Sequence, residues 1–593
     1  MRAFPSQYHL KEADVLYFSH IPKTAGMTFR TIVEDHFHCH EICPATLDEH
    51  IASIPPEQLK QYRLFRGHLG FIDLPKLVPG KRLINVNILR EPVARVISHY
   101  DYIRRTPTDP RYDSIKDISL EEFAEKLTLG KFGKNMQTYR VAKVAQFNLN
   151  DLSPEETLEL AKQSLDQFAF AGILEKFQDS LFLLSYIFGW KPILNSRKEN
   201  ASKNPKTGAE LSTQTLAVIR EQTQLDQVLY QYAQEIFDSR FAQMKEALTE
   251  QYSSQSEATS LTTLLEKHAE HRYNELQIPP AHALTYHFCQ PLRGTGWQRR
   301  EFPNPDTVFR WTGDTVTTID LPLAIDQDLQ IEICIINVLA ADVLQSLTLE
   351  VGGVAGSSSY PQGVALSVLY SFDDTIILQG TLPHAALTAP FTRLIFKVNR
   401  TLSPHDLNPN EPDTRSVGLA ITSMTTFPIK PGNSGGTAEF LFNSQPWSKT
   451  VDFVKQHLQP GQQILAPTIF QEQFPSHVPP YRCALPGIIR NYNPELVNNG
   501  AFGWAILHKG MKQELGAILT TLFRQRYRPV YANDVFVVFS RDRQIPALAL
   551  TSIHVKSLYI DWLKYFFSQL VKPFHPFANQ LKFKVKQMTR PKN

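Results

Sequence analysis

The feature that constrains this chain most is VLYFSHIPKTAGMTFRTIVEDHF, residues 15–37, where an apolar strand runs through Pro-Lys-Thr-Ala-Gly-Met-Thr straight into an amphipathic helix. Phe29, Ile32, Val33 and Phe37 fall on one helical face, so Lys23 to Thr28 forms a loop at the N-terminus of a buried helix. Free backbone N–H groups and the helix dipole favour an anion there. Lys23 adds positive charge, Gly26 lets the backbone approach closely, and Thr24 and Thr28 offer hydroxyl donors. The order of residues is not that of the ATPase loop, in which the lysine follows the glycines. Here Lys23 precedes Gly26, and no carboxylate-ended apolar strand offers a magnesium site.

RLINVNILREPVARVISHY, from Arg82, repeats the theme: an apolar strand, Arg90 at its end, Pro92 at a first helical turn, and Ser98 eight residues after Arg90. Val93, Val96, Ile97 and Tyr100 form the buried face. Arg90 and Ser98 can then meet one phosphate, the arginine through charge-assisted hydrogen bonds. Two phosphate sites well apart in the sequence, each at a strand-to-helix junction, suit a nucleotide with two separated anionic groups.

At 593 residues the chain exceeds what one core supports, so about three domains are expected. A net charge of +3 gives no reason to expect a nucleic-acid partner. Five scattered cysteines (39, 43, 289, 334 and 483) suggest no disulfide framework and fit a reducing compartment. The N-terminus has no apolar run ahead of the first strand, and nowhere do about 18 uninterrupted apolar residues occur. The expectation is a protein without a standard export signal or a membrane span, hence cytoplasmic.

Residues 1–247 alternate strands (VLYFSH, RLFRGH, RLINVNIL, FAFAGIL) with helical stretches such as LEEFAEKLTLG and LFLLSYIFGW, which reads as a parallel α/β sheet. The polar segment 248–281 reads as a linker. Residues 282–430 are short β-branched runs between Asp, Gly and Pro turns, the pattern of an antiparallel β-sandwich. Residues 431–550 return to mixed α/β. In the tail, 551–593, Trp562, Leu563, Phe566, Phe567 and Leu570 recur at helical spacing among Lys556, Lys564, Lys572, Lys582, Lys584, Lys586, Arg590 and Lys592. It reads either as an interfacial helix held by acidic lipids on the inner face of a membrane or as a helix docked on the third domain.

The two phosphate motifs together resemble the sulfotransferases that use 3′-phosphoadenosine 5′-phosphosulfate (PAPS), in particular the carbohydrate-modifying branch that includes the uronyl 2-O-sulfotransferases. HIPKTAGMT is similar to that family's 5′-phosphosulfate loop, and the arginine with a serine eight residues on is similar to its 3′-phosphate motif. NMQTYR from Asn135, GILEKFQDSLFLL from Gly172 and LNSRKEN from Leu194 are weaker echoes, and the likeness covers about the first 245 residues. It implies a P-loop-like parallel sheet, PAPS as co-substrate without a metal, and a glycan or glycoconjugate acceptor. Pro22, Lys23, Thr24, Ala25, Gly26, Met27 and Thr28 would hold the phosphosulfate, and Arg90 and Ser98 the 3′-phosphate. Lys23 would also steady charge on the leaving oxygen. In RLFRGHLGF, His68 resembles the family's catalytic histidine at a Gly-His step and would take the acceptor's proton. Those enzymes carry another histidine two residues earlier; Arg66 stands there and would bind an acidic group of the acceptor. Glu34 and Glu91 are the alternative bases.

Other signals weigh less. His36, His38, Cys39, His40 and Cys43 crowd together but match no zinc spacing. Arg197, Lys198 and Lys203 are reserve phosphate ligands on a lid or simply a solvated loop. Trp297, Arg310 and Trp311 are a sugar-stacking platform or part of a core. His508 and Lys509 have no partner motif. Two readings compete with the enzyme: a nucleotide-dependent phosphotransferase needing Mg²⁺, and a glycan-binding scaffold that keeps the nucleotide fold.

Overall fold

The computed structural model describes residues 7–11, 13–69, 72–127, 133–194, 211–252, 260–304, 307–352, 361–372, 375–429, 445–466, 470, 473–474, 477, 502–509, 515–533, 535–552, 554–556, 558–560 and 562–563. They divide into two compact units, one of residues 1–302, 308–367 and 379–428, the other of 303–307, 368–378 and 429–593.

The first unit begins with a parallel sheet. Its strands are β1 (Asp14–Ser19), β2 (Leu64–Gly67), β3 (Arg82–Leu89) and β4 (Phe170–Ile173), in the order β2-β1-β3-β4. All four were legible as apolar runs because a parallel sheet is buried on both faces. The register sets Leu16 beside Leu64 and Ile84, and Val86 beside Phe170. Alternation along β1 divides two cores: Leu16 and Phe18 join the larger with Phe29, Ile32 and Val33, while Val15 and Tyr17 join the smaller with Phe65.

Helix α1 (Gly26–Glu34) follows β1 and lays Phe29 edge-on against Phe18, ring centroids 4.8 Å apart. It stops at Glu34, one turn sooner than its apolar pattern suggests, and Asp35 caps its C-terminus. Phe37 still reaches the core. The Pro92–Arg104 helix begins where Pro92 predicts, and the Glu91 carboxylate accepts from the N–H groups of Val93 (3.0 Å) and Ala94 (2.6 Å). Val93, Val96, Ile97 and Tyr100 pack inward as expected.

The segment read as a linker is structural. The Gln224–Tyr252 helix carries Leu248, and the Leu261–Asn274 helix carries Leu264 and Leu265, into the larger core. Few leucines in a polar run suffice when helical spacing puts them on one side.

Most of the β-rich region belongs to the same unit. Gln362–Val364, Thr348–Gly352, Thr392–Lys397 and Val316–Leu321 make one antiparallel sheet in that order; a second is built round Leu329–Val338 and Leu419–Pro428. Trp297 and Trp311 are buried, and the Trp297 indole donates to the Thr318 carbonyl at 2.8 Å, so neither is a sugar platform. Arg310, fully buried, donates to Asp35 at 2.6 Å and to the Gln298 carbonyl at 2.7 Å. Lys191 and Arg393 share Glu270 and Asp320 in a second buried network.

The second unit holds a sheet of Gln463–Leu465, Phe502–His508, Phe536–Ser540 and Arg528–Ala532, its first pair parallel and the others antiparallel. The Gln445–His457 and Leu515–Arg524 helices belong to it, with Trp504 fully buried in its core. That is the mixed α/β pattern expected of the third region. At the start of the tail, Trp562 donates to Thr520 Oγ1 at 3.0 Å and packs on this core. The basic residues from Lys564 onward, like Arg197, Lys198, Lys203 and Cys483, lie outside the described residues. Among the described residues no helix is long and apolar enough to cross a membrane.

Asp35→Ala would strand the buried Arg310 guanidinium. The expected loss of stability is about 3–5 kcal/mol, measured by chemical denaturation, and the Asp35→Ala/Arg310→Met double variant should recover part of it.

Candidate functional site

The C-terminal ends of β1, β2 and β3 meet at one edge of the parallel sheet, where open α/β sheets bind ligands. From β1 the chain passes through His20 to Ala25 before α1 begins. Lys23 (φ 72°) and Ala25 (φ 59°) both adopt the left-handed conformation, which costs a non-glycine residue roughly 1 kcal/mol or more. Ala25 is the N-cap and offers no side-chain cap, whereas the Pro92–Arg104 helix has Glu91. The Phe29 N–H donates to the Ala25 carbonyl at 3.1 Å, closing the first turn. A helix start without a side-chain cap is suited to an anion.

Gly26 is required sterically. A Cβ there would lie 1.7 Å from Nε2 of His20, so the imidazole occupies the space a side chain would take. His20 is buried between Phe18 (5.2 Å) and His68 (4.2 Å), with rings stacked. His68, half-buried, arrives at the end of β2 after Gly67, whose φ of 126° and contact with the Thr46 carbonyl exclude a side chain. Its Nδ1 is buried without a hydrogen-bond partner among the described residues. Burial, then the charge of Arg140, holds the His68 imidazole down to about 4, with the His20 backbone acting the other way. Burial, helped by His68, pushes His20 well below its ordinary value. Both rings are neutral at physiological pH.

Lys23 and Arg90 converge. Arg90 Nη1 donates to the Lys23 carbonyl at 3.0 Å, and the Lys23 ammonium stands 4.0 Å above the Tyr102 ring. Burial first, then the charges of Arg105 and Arg90, lower Lys23 to about 8. Lys23 and Arg90 are thus held together where burial lowers both, an arrangement that an anion would stabilise. Ser98, half-buried, shares its helical face with Tyr102 and Arg105 at the i, i+4, i+7 spacing.

The rest of the loop divides by use. Pro22, Thr24 and Thr28 are buried, Ala25 is half-buried and Met27 is exposed. The Thr24 hydroxyl donates to the Ile21 carbonyl at 2.9 Å, so it shapes the loop and does not point a donor at a ligand. Arg66 is likewise committed. It is buried, pairs with Glu34 at 2.6 Å, and donates to the carbonyls of Cys43 (2.6 Å) and Ala45 (3.2 Å). That is the work of a strut between β2 and α1, not of a residue turned toward an acceptor. Glu34 is held by Arg30 as well as Arg66, and Glu91 caps a helix, so neither alternative base is placed for catalysis.

Sequence reasoning missed His20, Tyr102, Arg105 and the braces behind Arg90. Gln137 accepts from the Arg90 N–H at 3.0 Å and donates to its carbonyl at 2.7 Å, while Glu175 accepts from the Glu91 N–H at 3.0 Å. Both braces lie in the weaker echoes NMQTYR and GILEKF, which carried the signal. Of the crowded His36 to Cys43, His36 stacks on Trp190 at 3.7 Å and Cys43 is buried in the smaller core. Among the described residues there is no group of three or more that could hold a metal.

No family model matches the chain. It is 24% identical over 282 residues to heparan-sulfate 6-O-sulfotransferase 1-B of Danio rerio, across 40% of this chain and 68% of that protein. It is 24% identical over 285 residues to heparan-sulfate 6-O-sulfotransferase 2 of Danio rerio, spanning 60% of that relative. The human heparan-sulfate 6-O-sulfotransferase 1 is also 24% identical, over 284 residues and 68% of its length. These relatives support a carbohydrate sulfotransferase at family level, and they are 6-O enzymes where the motifs alone suggested the uronyl 2-O branch. Among solved structures, a 4-O-methyl-alpha-glucuronidase covers 57% of this chain and 39% of its own at 8% identity and a TM-score of 0.16, too poor a superposition to bear on the fold.

Gly26→Ala is expected to expel His20 from its stack. The variant should lose about 1–3 kcal/mol of stability, read by thermal denaturation, while Gly363→Ala, where a Cβ meets nothing within 4 Å, should leave it nearly unchanged.

Proposed function

We propose that this chain is a sulfotransferase that moves the sulfuryl group of PAPS to a carbohydrate hydroxyl by in-line displacement. The observation that carries the reading is the convergence of Lys23 and Arg90 on one loop, with Lys23 lowered to about 8, beside the neutral His68. The donor set suits the co-substrate: an uncapped helix N-terminus, Gly26 without a side chain, and two cations. Lys23 and the backbone from Pro22 to Thr28 would hold the phosphosulfate, and Arg90 with Ser98 the 3′-phosphate. Lys23 would neutralise charge growing on the bridging oxygen as the S–O bond breaks. His68, already unprotonated, would accept the proton of the attacking hydroxyl. The acceptor would be a glycan or glycoconjugate, and the reaction would take place in the cytoplasm without a metal.

Lys23→Ala should cut kcat by about 10²–10³, and Arg90→Ala should weaken binding of adenosine 3′,5′-bisphosphate by about 10–100-fold. Titration calorimetry in EDTA, with ATP plus Mg²⁺ in parallel, checks the second. A preference for ATP would favour phosphoryl transfer, and a bisphosphate that binds without any sulfate transfer would favour the scaffold.

The pH profile follows from the same groups. In the nucleotide-free enzyme Lys23 loses its charge as pH rises through about 8, so kcat/KM for the nucleotide should fall above that value. A bound phosphate favours the ammonium, so kcat should hold to higher pH. His68 stays unprotonated down to about 4, so it should give no acid limb near pH 6.5; a limb there that vanishes in His68→Ala would contradict this.

A further inference from the structure

Two cysteines to which the sequence assigns no role meet in the fold. Cys39 stands in the single turn Cys39–Glu41 beyond α1, Cys289 follows the Leu284–His287 strand, and the Cys39 N–H donates to the Cys289 carbonyl at 2.9 Å. That backbone bond holds the two residues side by side, as a disulfide between them would need. The thiols hydrogen-bond to each other, and both are free and partly exposed.

Their surroundings make the two sulfurs unequal. Arg300 spends Nη2 on the carbonyls of Phe37 (2.6 Å) and Gln290 (3.1 Å), while its Nε and Nη1 are buried without a hydrogen-bond partner among the described residues. The hydrogen bond from Cys39, then the charges of Arg300 and His40, hold the Cys289 thiol below its ordinary value against the effect of burial. Arg300 draws both thiols down, but the same hydrogen bond and burial push Cys39 up, while His40 and the Cys39 backbone N–H favour the Cys289 thiolate alone. Cys43 and Cys334 are buried, and burial raises both thiols.

We propose that Cys39 and Cys289 are a reversible thiol–disulfide site that reacts with small-molecule disulfides, Cys289 as nucleophile and Cys39 as resolving thiol. The Cys289 thiolate attacks one sulfur of the incoming disulfide, that S–S bond breaks, and one thiolate leaves. Cys39 gives its proton to solvent and attacks Cys289 Sγ of the mixed disulfide, releasing the second thiolate. Two protein thiols are oxidised to one disulfide, and the small disulfide is reduced to two thiols. The bond fastens the turn after α1 to the β-rich region of the same unit, where Asp35 and Arg310 already meet.

The test incubates the full chain with oxidised glutathione, quenches with acid, and maps peptides without reduction. A cross-linked Cys39–Cys289 peptide that dithiothreitol reverses is expected. Cys39→Ser should stop at a glutathione adduct on Cys289, and in Cys289→Ser the remaining Cys39 should react at least about ten-fold more slowly. Stable adducts on both cysteines of the unaltered protein without a cross-link, or oxidation of Cys43 or Cys334 at the same rate, would overturn the proposal.

Discussion

Like charges held together at the edge of a buried sheet are the constraint on which the rest of this structure turns. Lys23 is half-buried, and burial first, then the charges of Arg105 and Arg90, depress its ammonium, which records the conflict. Such a cluster stays in place only if other interactions over-determine its backbone. Here they do: the backbone N–H and C=O of Arg90 are both taken by the Gln137 side chain, and Gln137 is itself fixed by the buried Asp226, which accepts from the N–H groups of Gln137 and Thr138. The strained residues Lys23 and Ala25 sit between a fully buried strand and a helix whose Phe29 and Val33 are locked in the core. An anion relieves the repulsion without moving the scaffold, which is what pre-organisation means for a charged ligand.

How much of this could be read in advance depended on whether a residue's role is local. The strands β1 to β4, the start at Pro92 and the loop at Lys23 follow from patterns a few residues long, and they stand where the pattern puts them. Thr24 and Arg66 went differently. Each is of a type that binds anions, but the Thr24 hydroxyl is satisfied by Ile21, and the Arg66 guanidinium by Glu34 and two carbonyls. Residue type reveals hydrogen-bonding capacity and says nothing of whether the fold has already used it. His20 and Gln137 failed in the opposite sense, since their partners His68 and Arg90 lie far off in the sequence. The segment after Leu248 hid its packing for a compositional reason: its few core leucines are diluted by polar residues, some of which, such as His268 and Arg272, are themselves buried.

The relation between the two histidines bears on the proposed chemistry. In the resemblance that first pointed to His68, a second histidine stands two residues earlier on the same strand; here Arg66 fills that place and serves as a strut. A second imidazole nonetheless reaches the site, from His20 directly after β1, stacked on His68. Its Nε2 lies against Gly26, and the ring is buried more deeply than that of His68. His20 is thus poorly placed to meet an acceptor and well placed to keep its neighbour neutral, because a protonated His68 would face a desolvated ring and the charge of Arg140. On this reading one histidine supplies the base and the other its low-dielectric wall, and the absence of a side chain at Gly26 is what lets that wall stand beside the phosphate loop.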